Sequence, residues 1–556
     1  MKKISTTILI LLAALMLVAC GDGKKENFKV TVESLTPARS SVHIVLNIED
    51  EESVIVKDSI EAKLYYKDSL VSTTPATIVK DEEDGVILES YIEIKSLSVG
   101  EEYRVEILLT ANKKSHKVYT NTFETSIVGS SKENPILIKT KEDFMNINND
   151  STAYYRLEND IDFEGEYLPS MFQTIVFRGH LDGNNKTVKN YLFNQRKSYL
   201  GIFGRNNGTI ENLTLEGGKV ELKYSSQYIS LLVARNSGII RNVHVKDANI
   251  DIDFVYTGTI YMGGIVGYGE INSELRDSKV TNLNINIKAS ERRTEFNIGG
   301  LTGRLVGAQI FNSTADVKIN IVNGDSSYIG GAVGFITHSN NLRAKLTQVI
   351  ANLDITIETK VKSILILNNK EEVIVGNIGG LVGKSIMATI NKSSGTNKTI
   401  LTGATNNATQ QSNQDYFSIG GLAGTLVSGN ILFETLSELD VTVKGQNEAD
   451  NFKGFENLYI GGIAGESFNS EITKAFSKDF KATVENEDLP SRVHPLFGYG
   501  EEGGDYNGSI INHYTDTYEN ESLRVDGEIK EVTSIPTTIL NQDYYTTEFM
   551  KDLVTP

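Results

Sequence analysis

A short glycine motif recurs along the chain from residue 262 onward. Each clear copy has two adjacent glycines after an apolar residue and a third glycine three positions after the pair. The six clear copies are 262–267, 298–303, 329–334, 378–383, 419–424 and 460–465. Their first glycines lie 31 to 49 residues apart. Recurrence at such an interval is typical of solenoids and related repeat architectures.

The residues around the glycines favour coils made of short strands. Several copies precede a second alternating run of apolar and polar residues, as at 210–215, 282–287 and 353–357. Ile and Leu at fixed offsets can stack from coil to coil into one core, while paired glycines permit close backbone approach and unusual φ at a corner. Because a single coil cannot bury its own apolar face, we expect the array to be continuous.

Weaker copies of the motif extend the series to nine. They are an opening copy at 199–204, a degenerate copy at 228–234 and a terminal variant at 495–498. Together with 160–162 and 181–183 of the preceding segment, these residues resemble the GLUG repeats of bacterial surface proteins and of the N-terminal region of IgA-protease-type metallopeptidases. The resemblance covers roughly residues 134 to 550 and implies a parallel β-solenoid. Nine coils at about 4.8 Å each would make a rod of at least roughly 43 Å.

The N-terminus resembles the signal peptide of bacterial lipoproteins. A basic start is followed by an apolar stretch, residues 4–19, which is too short to span a membrane comfortably. It ends at Leu17-Val18-Ala19-Cys20-Gly21, where small residues flank Cys20, the single cysteine of the 556-residue chain. The resemblance implies cleavage before Cys20 and a lipid anchor on its thiol. The alternative is an ordinary secretory signal that happens to contain a cysteine.

Residues 28–127 predict a β-sandwich. Alternating runs such as 28–32, 42–46 and 61–66 are separated by acidic turns. The segment 97–107 resembles the end of a fibronectin type III module, in which Tyr103 would be the corner tyrosine whose hydroxyl bonds back to nearby backbone. The early core tryptophan of that family is missing, so a generic immunoglobulin-like sandwich is the alternative.

The predicted fold class is therefore all-β: an immunoglobulin/fibronectin-like β-sandwich followed by a parallel β-solenoid of GLUG repeats. We expect a strand at 135–138, then a short helical turn at 141–144, and a short closing helix near 541–549. The predicted boundaries are a signal peptide at 1–19, a tether at 20–27, the sandwich at 28–127, an N-terminal solenoid cap at 134–195, the repeats at 196–518 and a C-terminal cap at 519–556.

The charge of the chain restricts its partners. The formal net charge is −18 at pH 7, and basic residues form only short, isolated groups. An acidic surface disfavours nucleic acid and anionic membrane surfaces. We therefore expect no nucleic-acid partner, and contact with a membrane through the lipid on Cys20.

One acidic segment mimics the first half of a calcium loop. Asp160, Asp162 and Glu164 have the right spacing, but the twelfth position, where a glutamate is needed, is Met171. The alternating apolar residues favour a strand with outward carboxylates. We therefore interpret this segment as structural.

Two glycine strings match nucleotide motifs only in part. Residues 498–503 fit the dinucleotide fingerprint but lack its strand–turn–helix context, and we interpret them as a loop. Residues 379–385 resemble a phosphate loop, but Ile378 occupies the place of its first glycine. We interpret that segment as repeat core and predict no cofactor.

The sequence shows no catalytic motif. IgA-protease relatives carry a zinc-binding H-E-x-x-H, which none of the histidines begins; they are His43, His116, His180, His244, His338, His494 and His513. We therefore predict neither a catalytic residue nor a metal ligand. One enzymatic alternative stays open, because β-helix lyases and glycosidases assemble acidic and basic residues from neighbouring coils without a linear motif.

The sequence thus predicts an exported, surface-exposed lipoprotein with Cys20 as its one modified residue. Its expected role is adhesion or another binding task at the cell surface, with a protein or glycan ligand. The alternatives are a carbohydrate-active β-helix enzyme and an envelope structural protein.

Overall fold

The computed structural model contains two compact units, Met1–Ser130 and Ser131–Pro556. It describes residues 28–50, 53–56, 58–80, 87–223, 226–253, 258–288, 294–322, 327–359, 375–403, 416–445, 457–484, 491–494, 497–499, 510–511, 514–515, 522–525 and 528–531. Cys20, the tether and the expected closing helix lie outside these residues.

The first unit is a β-sandwich of two antiparallel four-stranded sheets. Its strands are β1 (Lys29–Pro37), β2 (Ser41–Glu49), β3 (Glu61–Tyr66), β4 (Ser69–Pro75), β5 (Thr77–Lys80), β6 (Ile87–Lys95), β7 (Glu102–Ala111) and β8 (Lys114–Glu124). The sheet orders are β1-β2-β6-β5 and β4-β3-β7-β8. Alternate residues of β2 and β7 are buried between the sheets, as the period-two pattern predicts.

Tyr103 forms the predicted tyrosine corner. Its hydroxyl accepts a hydrogen bond from the backbone N–H of Ser98 at 2.9 Å, and its ring stacks on Phe123 at 5.9 Å between centroids. The sandwich core is closed without a tryptophan, by aliphatic side chains such as Ile44, Ile92 and Ile107.

The second unit is a parallel β-solenoid with three sheets, which confirms the predicted fold class. Each regular coil contributes a short strand to the first sheet, a short strand to the second sheet and a longer strand to the third. The first-sheet strands are Tyr199–Leu200, Tyr228–Ser230, Gly258–Gly263, Thr294–Gly299, Ser327–Gly330, Val375–Gly379, Tyr416–Gly420, Asn457–Gly461 and Ser491–His494. The second-sheet strands are Phe203–Asn206, Val233–Asn236, Val266–Gly269, Thr302–Val306, Val333–Thr337, Val382–Ile386, Ala423–Val427, Ala464–Phe468 and Phe497–Tyr499.

The third sheet begins before the glycine repeats and continues to the last coils. Its strands are Ile136–Ile138, Tyr154–Leu157, Ile161–Asp162, His180–Lys189, Leu192–Phe193, Thr209–Glu216, Lys219–Leu222, Ile239–Ile252, Glu274–Arg276, Lys279–Lys288, Gln309–Val322, Lys345–Thr359, Thr389–Gly403, Ile431–Gly445, Glu471–Val484, Ile510–Ile511 and Tyr514–Thr515. The predicted helical turn is the helix Lys141–Met145, followed by a 3₁₀ turn, Asn146–Asn149. Strands Ser522–Val525 and Glu528–Glu531 form a separate antiparallel pair.

The repeated glycine pair forms the corner between the first and second sheets. In the coil around Gly300, the first-sheet strand ends at Gly299 and the second-sheet strand begins at Thr302. A Cβ on Gly300 would lie closer than 3.0 Å to the carbonyl oxygen of Gly331 in the next coil. Neither Gly299 nor Gly300 has a positive φ. Close approach of stacked backbones, and not an unusual φ, is therefore what requires glycine here.

Candidate functional site

Two outward-facing side chains meet across the glycine corner of each coil. One precedes the motif on the first sheet and the other follows the third glycine on the second sheet. Within single coils, Tyr261 contacts Tyr268 at 5.1 Å and Tyr328 contacts Phe335 at 5.4 Å between ring centroids. The third glycine makes this approach possible, because a Cβ on Gly303 would collide with first-sheet backbone.

The same juxtaposition recurs in eight successive coils, and we call the resulting surface the corner cleft. Its facing pairs, in chain order, are Tyr199/Arg205, Tyr228/Arg235, Tyr261/Tyr268, Asn297/Arg304, Tyr328/Phe335, Asn377/Lys384, Ser418/Thr425 and Tyr459/Glu466. Parallel pairing keeps the members of each column in register from coil to coil. The solenoid thereby aligns residues far apart in sequence in two columns, whose aromatic and cationic members are partly exposed and whose Asn, Ser, Thr and Glu members are buried.

Aromatic rings line the beginning of the corner cleft. Tyr199, Tyr228 and Tyr261 stack in sequence, with centroids 5.1 and 5.2 Å apart. Each side chain is partly exposed, so ring edges remain accessible. Burial raises the pKa of Tyr228 to about 12, and burial likewise raises the pKa of Tyr328 to about 12. These phenols therefore remain neutral hydrogen-bonding groups at physiological pH.

Cationic side chains alternate with rings in the middle of the corner cleft. The Arg304 guanidinium carbon lies 4.7 Å from the Phe335 ring centroid and 5.7 Å from that of Tyr261. Lys384 Nζ lies 5.1 Å from the centroid of Tyr328. These distances are typical of cation–π contacts, which hold a cation in place while leaving its charge uncompensated.

Polar side chains occupy the last described coils of the corner cleft. Glu466 is 7% exposed, and its carboxyl accepts a hydrogen bond from the Thr425 hydroxyl at 3.0 Å. Burial raises the pKa of the Glu466 carboxyl, against the opposing influence of Thr425, Ser418 and Lys384. Burial also lowers the pKa of the Lys384 ammonium. An acid and an amine are thus both shifted toward their neutral forms.

A second polar cluster lies on the third sheet at the first coils. His180 Nε2 is 2.7 Å from Glu211 Oε1, and the other carboxylate oxygen accepts from Arg241. Burial would raise the pKa of Glu211, but hydrogen bonding to Arg241 and the nearby cations hold it below its usual value. Both carboxylate oxygens are engaged and His180 stacks on Tyr154. The cluster therefore links neighbouring coils, with both oxygens of Glu211 engaged.

The structure also places the segments that the sequence singled out. Asp162 is on a strand and accepts from Asn190 Nδ2 and from the N–H of Glu164, both at 2.9 Å. These bonds support its structural interpretation. Among the described residues, no group of three or more His, Cys, Asp or Glu is placed to hold a metal. Cys20 lies outside the described residues.

The corner cleft was not predicted from the sequence. Residues 379–385 lie in the repeat, and within them the partly exposed Lys384 faces the cleft, which the sequence interpretation did not predict. The available signal was the pair of residues flanking each motif, seven positions apart in most copies. Their character varies from coil to coil, and only the fold shows that they face each other.

Segments of the chain are similar to segments of three longer proteins. The chain is 30% identical over 128 residues to a Gly-rich membrane protein of Evansella cellulosilytica. It is 28% identical over 194 residues to halomucin of Haloquadratum walsbyi, and 30% identical over 204 residues to immunoglobulin A1 protease of Streptococcus sanguinis. The matches cover 21%, 31% and 34% of this chain, but only 15%, 2% and 10% of those proteins. No family model matches, so the GLUG assignment stays a prediction.

Among solved structures, the chain is similar to a family 28 exopolygalacturonase of Yersinia enterocolitica. The alignment has 10% sequence identity, covers 84% of this chain and 98% of that one, and has a TM-score of 0.19. A superposition at this level does not bear on function. In the described part of the chain, no helix has the length and apolar character needed to cross a bilayer.

Proposed function

We propose that this protein is an exported, lipid-anchored surface protein whose solenoid binds an extended ligand along the corner cleft. The proposal rests on one observation: eight successive coils place facing side chains in register along the glycine corner, and the aromatic and cationic members are partly exposed while the Asn, Ser, Thr and Glu members are buried. Aromatic rings and arginines are the side chains that dominate binding energy at recognition surfaces. Relatives that include a membrane protein, a halomucin and a protease are consistent with a role at the cell surface.

The spacing of the coils indicates that the ligand is extended. Coils are about 4.8 Å apart, so a ligand lying along the cleft meets the partly exposed aromatic and cationic members of successive coils at regular intervals. Such a surface suits a polymer better than a compact small molecule. Binding energy would be distributed over several coils, with the largest contributions from the central rings.

An array of glycans and extracellular proteins tests this proposal, probed with the full-length protein in detergent. The variants Tyr261→Ala and Tyr328→Ala remove central rings of the cleft and should weaken binding of whichever ligand the native protein selects. Phe433→Ala, at an aromatic residue that is 36% exposed on the third sheet, is the matched control. Binding that is insensitive to both cleft variants would contradict the proposed surface.

A glycan-cleaving enzyme is the second candidate, favoured by one specific observation. Lys384 and Glu466 lie in the same column of the cleft, separated by Thr425, and burial shifts the pKa of each toward neutrality. Groups tuned in this way are suited to proton transfer. Product release from a polysaccharide that is lost in Glu466→Gln would favour this candidate over non-catalytic binding.

A further inference from the structure

Arg304 and Lys384 have no carboxylate partner in the described part of the chain. No Asp or Glu oxygen there comes within 4.0 Å of either charged group. Arg235 binds Glu270 at 2.7 Å and Arg241 binds Glu211, whereas Arg205, at the start of the cleft, donates to the Thr174 carbonyl and forms no ion pair with a described carboxylate. Arg304 and Lys384 thus lie in one cleft without a direct ion pair to a described carboxylate, although the net charge of the chain is −18.

The charged groups of Arg304 and Lys384 have both lost part of their hydration. Each side chain is partly buried between rings of neighbouring coils. Removing a charged group from water is unfavourable unless a counter-charge or hydrogen bonds replace the lost hydration. Arg304 makes a single long hydrogen bond, to the Tyr261 hydroxyl at 3.4 Å, and its Nε has no partner among the described residues. A ligand anion would therefore relieve a cost that exists in the free protein.

The spacing of the two cations discriminates between kinds of polyanion. Arg304 and Lys384 belong to alternate coils, with Phe335 between them in the same column. At about 4.8 Å per coil, their backbones are roughly 9.6 Å apart. An extended peptide presents side chains on one face about every 6.8 Å, which does not match this interval. A linear sugar chain that carries a charge on every second sugar repeats on the matching length scale.

We propose that the cleft segment around Arg304 and Lys384 binds a linear glycan bearing a carboxylate or sulfate on alternate sugars. This inference rests on the proposed binding function and specifies the chemical class of its ligand. Arg304 binds one anionic group through its planar fork of donors, and Lys384 binds the next as a point charge. The intervening uncharged sugar packs against Phe335 and Tyr328. The acidic remainder of the surface repels polyanions that do not fit the cleft.

Titration of the full-length protein in detergent with defined oligosaccharides tests the inference. Hyaluronan oligosaccharides carry a carboxylate on alternate sugars, chondroitin sulfate adds a sulfate, and chitin oligosaccharides are neutral. We expect the first two to bind and the third to bind at least tenfold more weakly. The relative affinity of hyaluronan and chondroitin sulfate tells which anionic group is preferred. Affinity should fall as salt is raised, because a charge pair is being screened.

Variants separate charge recognition from folding. Arg304→Gln and Lys384→Met should each weaken hyaluronan binding about tenfold or more, while Lys384→Arg retains most of it. Lys318→Met, at an exposed lysine of the third sheet, should leave binding unchanged. Retention by Lys384→Arg excludes the explanation that Lys384→Met merely unfolds the coil.

The possible failures are distinguishable. Equal binding of chitin and hyaluronan would overturn this inference and leave the proposed binding function standing. Binding of poly-glutamate as tight as that of hyaluronan would also overturn it, since the cleft would then select charge without regard to spacing. Absence of any glycan or protein ligand in the array would overturn both proposals.

Discussion

The side-chain amide of Asn206 donates a hydrogen bond from Nδ2 to Oδ1 of Asn236, one coil further along, at 2.7 Å. Both residues are 1% exposed. Each amide also closes the turn that leaves the second sheet: the Asn236 side chain accepts from the N–H of Gly238 at 3.2 Å and donates to its carbonyl at 3.1 Å. These amides supply the backbone partners that the tight turn lacks.

Asn236→Ala should destabilise the solenoid by roughly 2–4 kcal/mol, because it leaves the N–H of Gly238 and the amide of Asn206 buried without a full set of partners. Native-state hydrogen exchange of the amides in residues 199–252 measures this free energy. Asn286→Ala is the control, since its partner Asp251, at 2.8 Å, is on the solvent-facing side. That variant should lose about 1 kcal/mol or less. Equal losses in the two variants would contradict the assigned role of the buried amide pair.

Gly300→Ala should destabilise the solenoid by about 3 kcal/mol or disrupt its coil stacking altogether. The added methyl would meet the carbonyl oxygen of Gly331 and the side chain of Ala315, and stacked backbone on one side cannot move away. The control is Gly307→Asn, because Gly307 has a φ of +57° with no contact shorter than 3.4 Å and asparagine tolerates that conformation. Thermal unfolding followed by far-UV circular dichroism compares the two. A stable Gly300→Ala protein would show that the corner is looser than its geometry implies.

The glycine corners could be predicted from the sequence because one physical demand acts on each of the six coils with a clear copy of the motif. Backbone carbonyls at the corner approach the next coil too closely for any Cβ, so the same residue recurs at the same place. The apolar positions beside it, such as Ile298 and Leu301, recur for a similar reason, since both are completely buried in the common core. The solenoid was predictable because close backbone approach and burial of the neighbouring apolar residues recur from coil to coil.

The turns on the third sheet were less predictable because several residue types meet their requirement. Asn212, Asn242 and Asn312 adopt φ values of 41° to 56°, yet Gln348 and Glu434 have equally positive φ at corresponding bends. The corner cleft was still harder to predict. Its side chains share only a position relative to the glycines, and their facing pairs become contacts only when two sheets fold against each other.

Cys20→Ser should abolish lipid attachment, because serine lacks the thiol that would be acylated. We expect the native protein to incorporate a radiolabelled or clickable palmitate analogue and to partition into detergent-rich phase, and the variant to do neither. Ser5→Ala, within the same signal segment, is the matched control and should be labelled normally. Normal labelling and processing of Cys20→Ser would contradict the lipoprotein prediction and leave an ordinary secretory signal as the explanation.

Glu466 completes a hydrogen-bond chain only when it is protonated. The Thr425 hydroxyl has one proton and lies against two acceptors, Asn377 Oδ1 and Glu466 Oε2. If Thr425 donates to Asn377, a protonated Glu466 can donate to Thr425, and both contacts of the Thr425 hydroxyl are hydrogen bonds. This arrangement agrees with the raised pKa of the Glu466 carboxyl, whose main cause is burial.

The solenoid should therefore lose stability as pH rises from the ordinary glutamate pKa of 4.5 through the raised pKa of folded Glu466. In that window the folded protein retains a proton that the unfolded chain has released, so this contribution is complete below the window and lost above it. Glu466→Gln keeps a donor toward Thr425 at every pH and should remove this part of the decline. Denaturant unfolding between pH 4 and pH 8 measures it. Glu158→Gln, at the partly exposed ion pair with Arg156, controls for removal of one carboxylate. An unchanged decline in Glu466→Gln would contradict the assignment of this pH dependence to the Glu466 carboxyl.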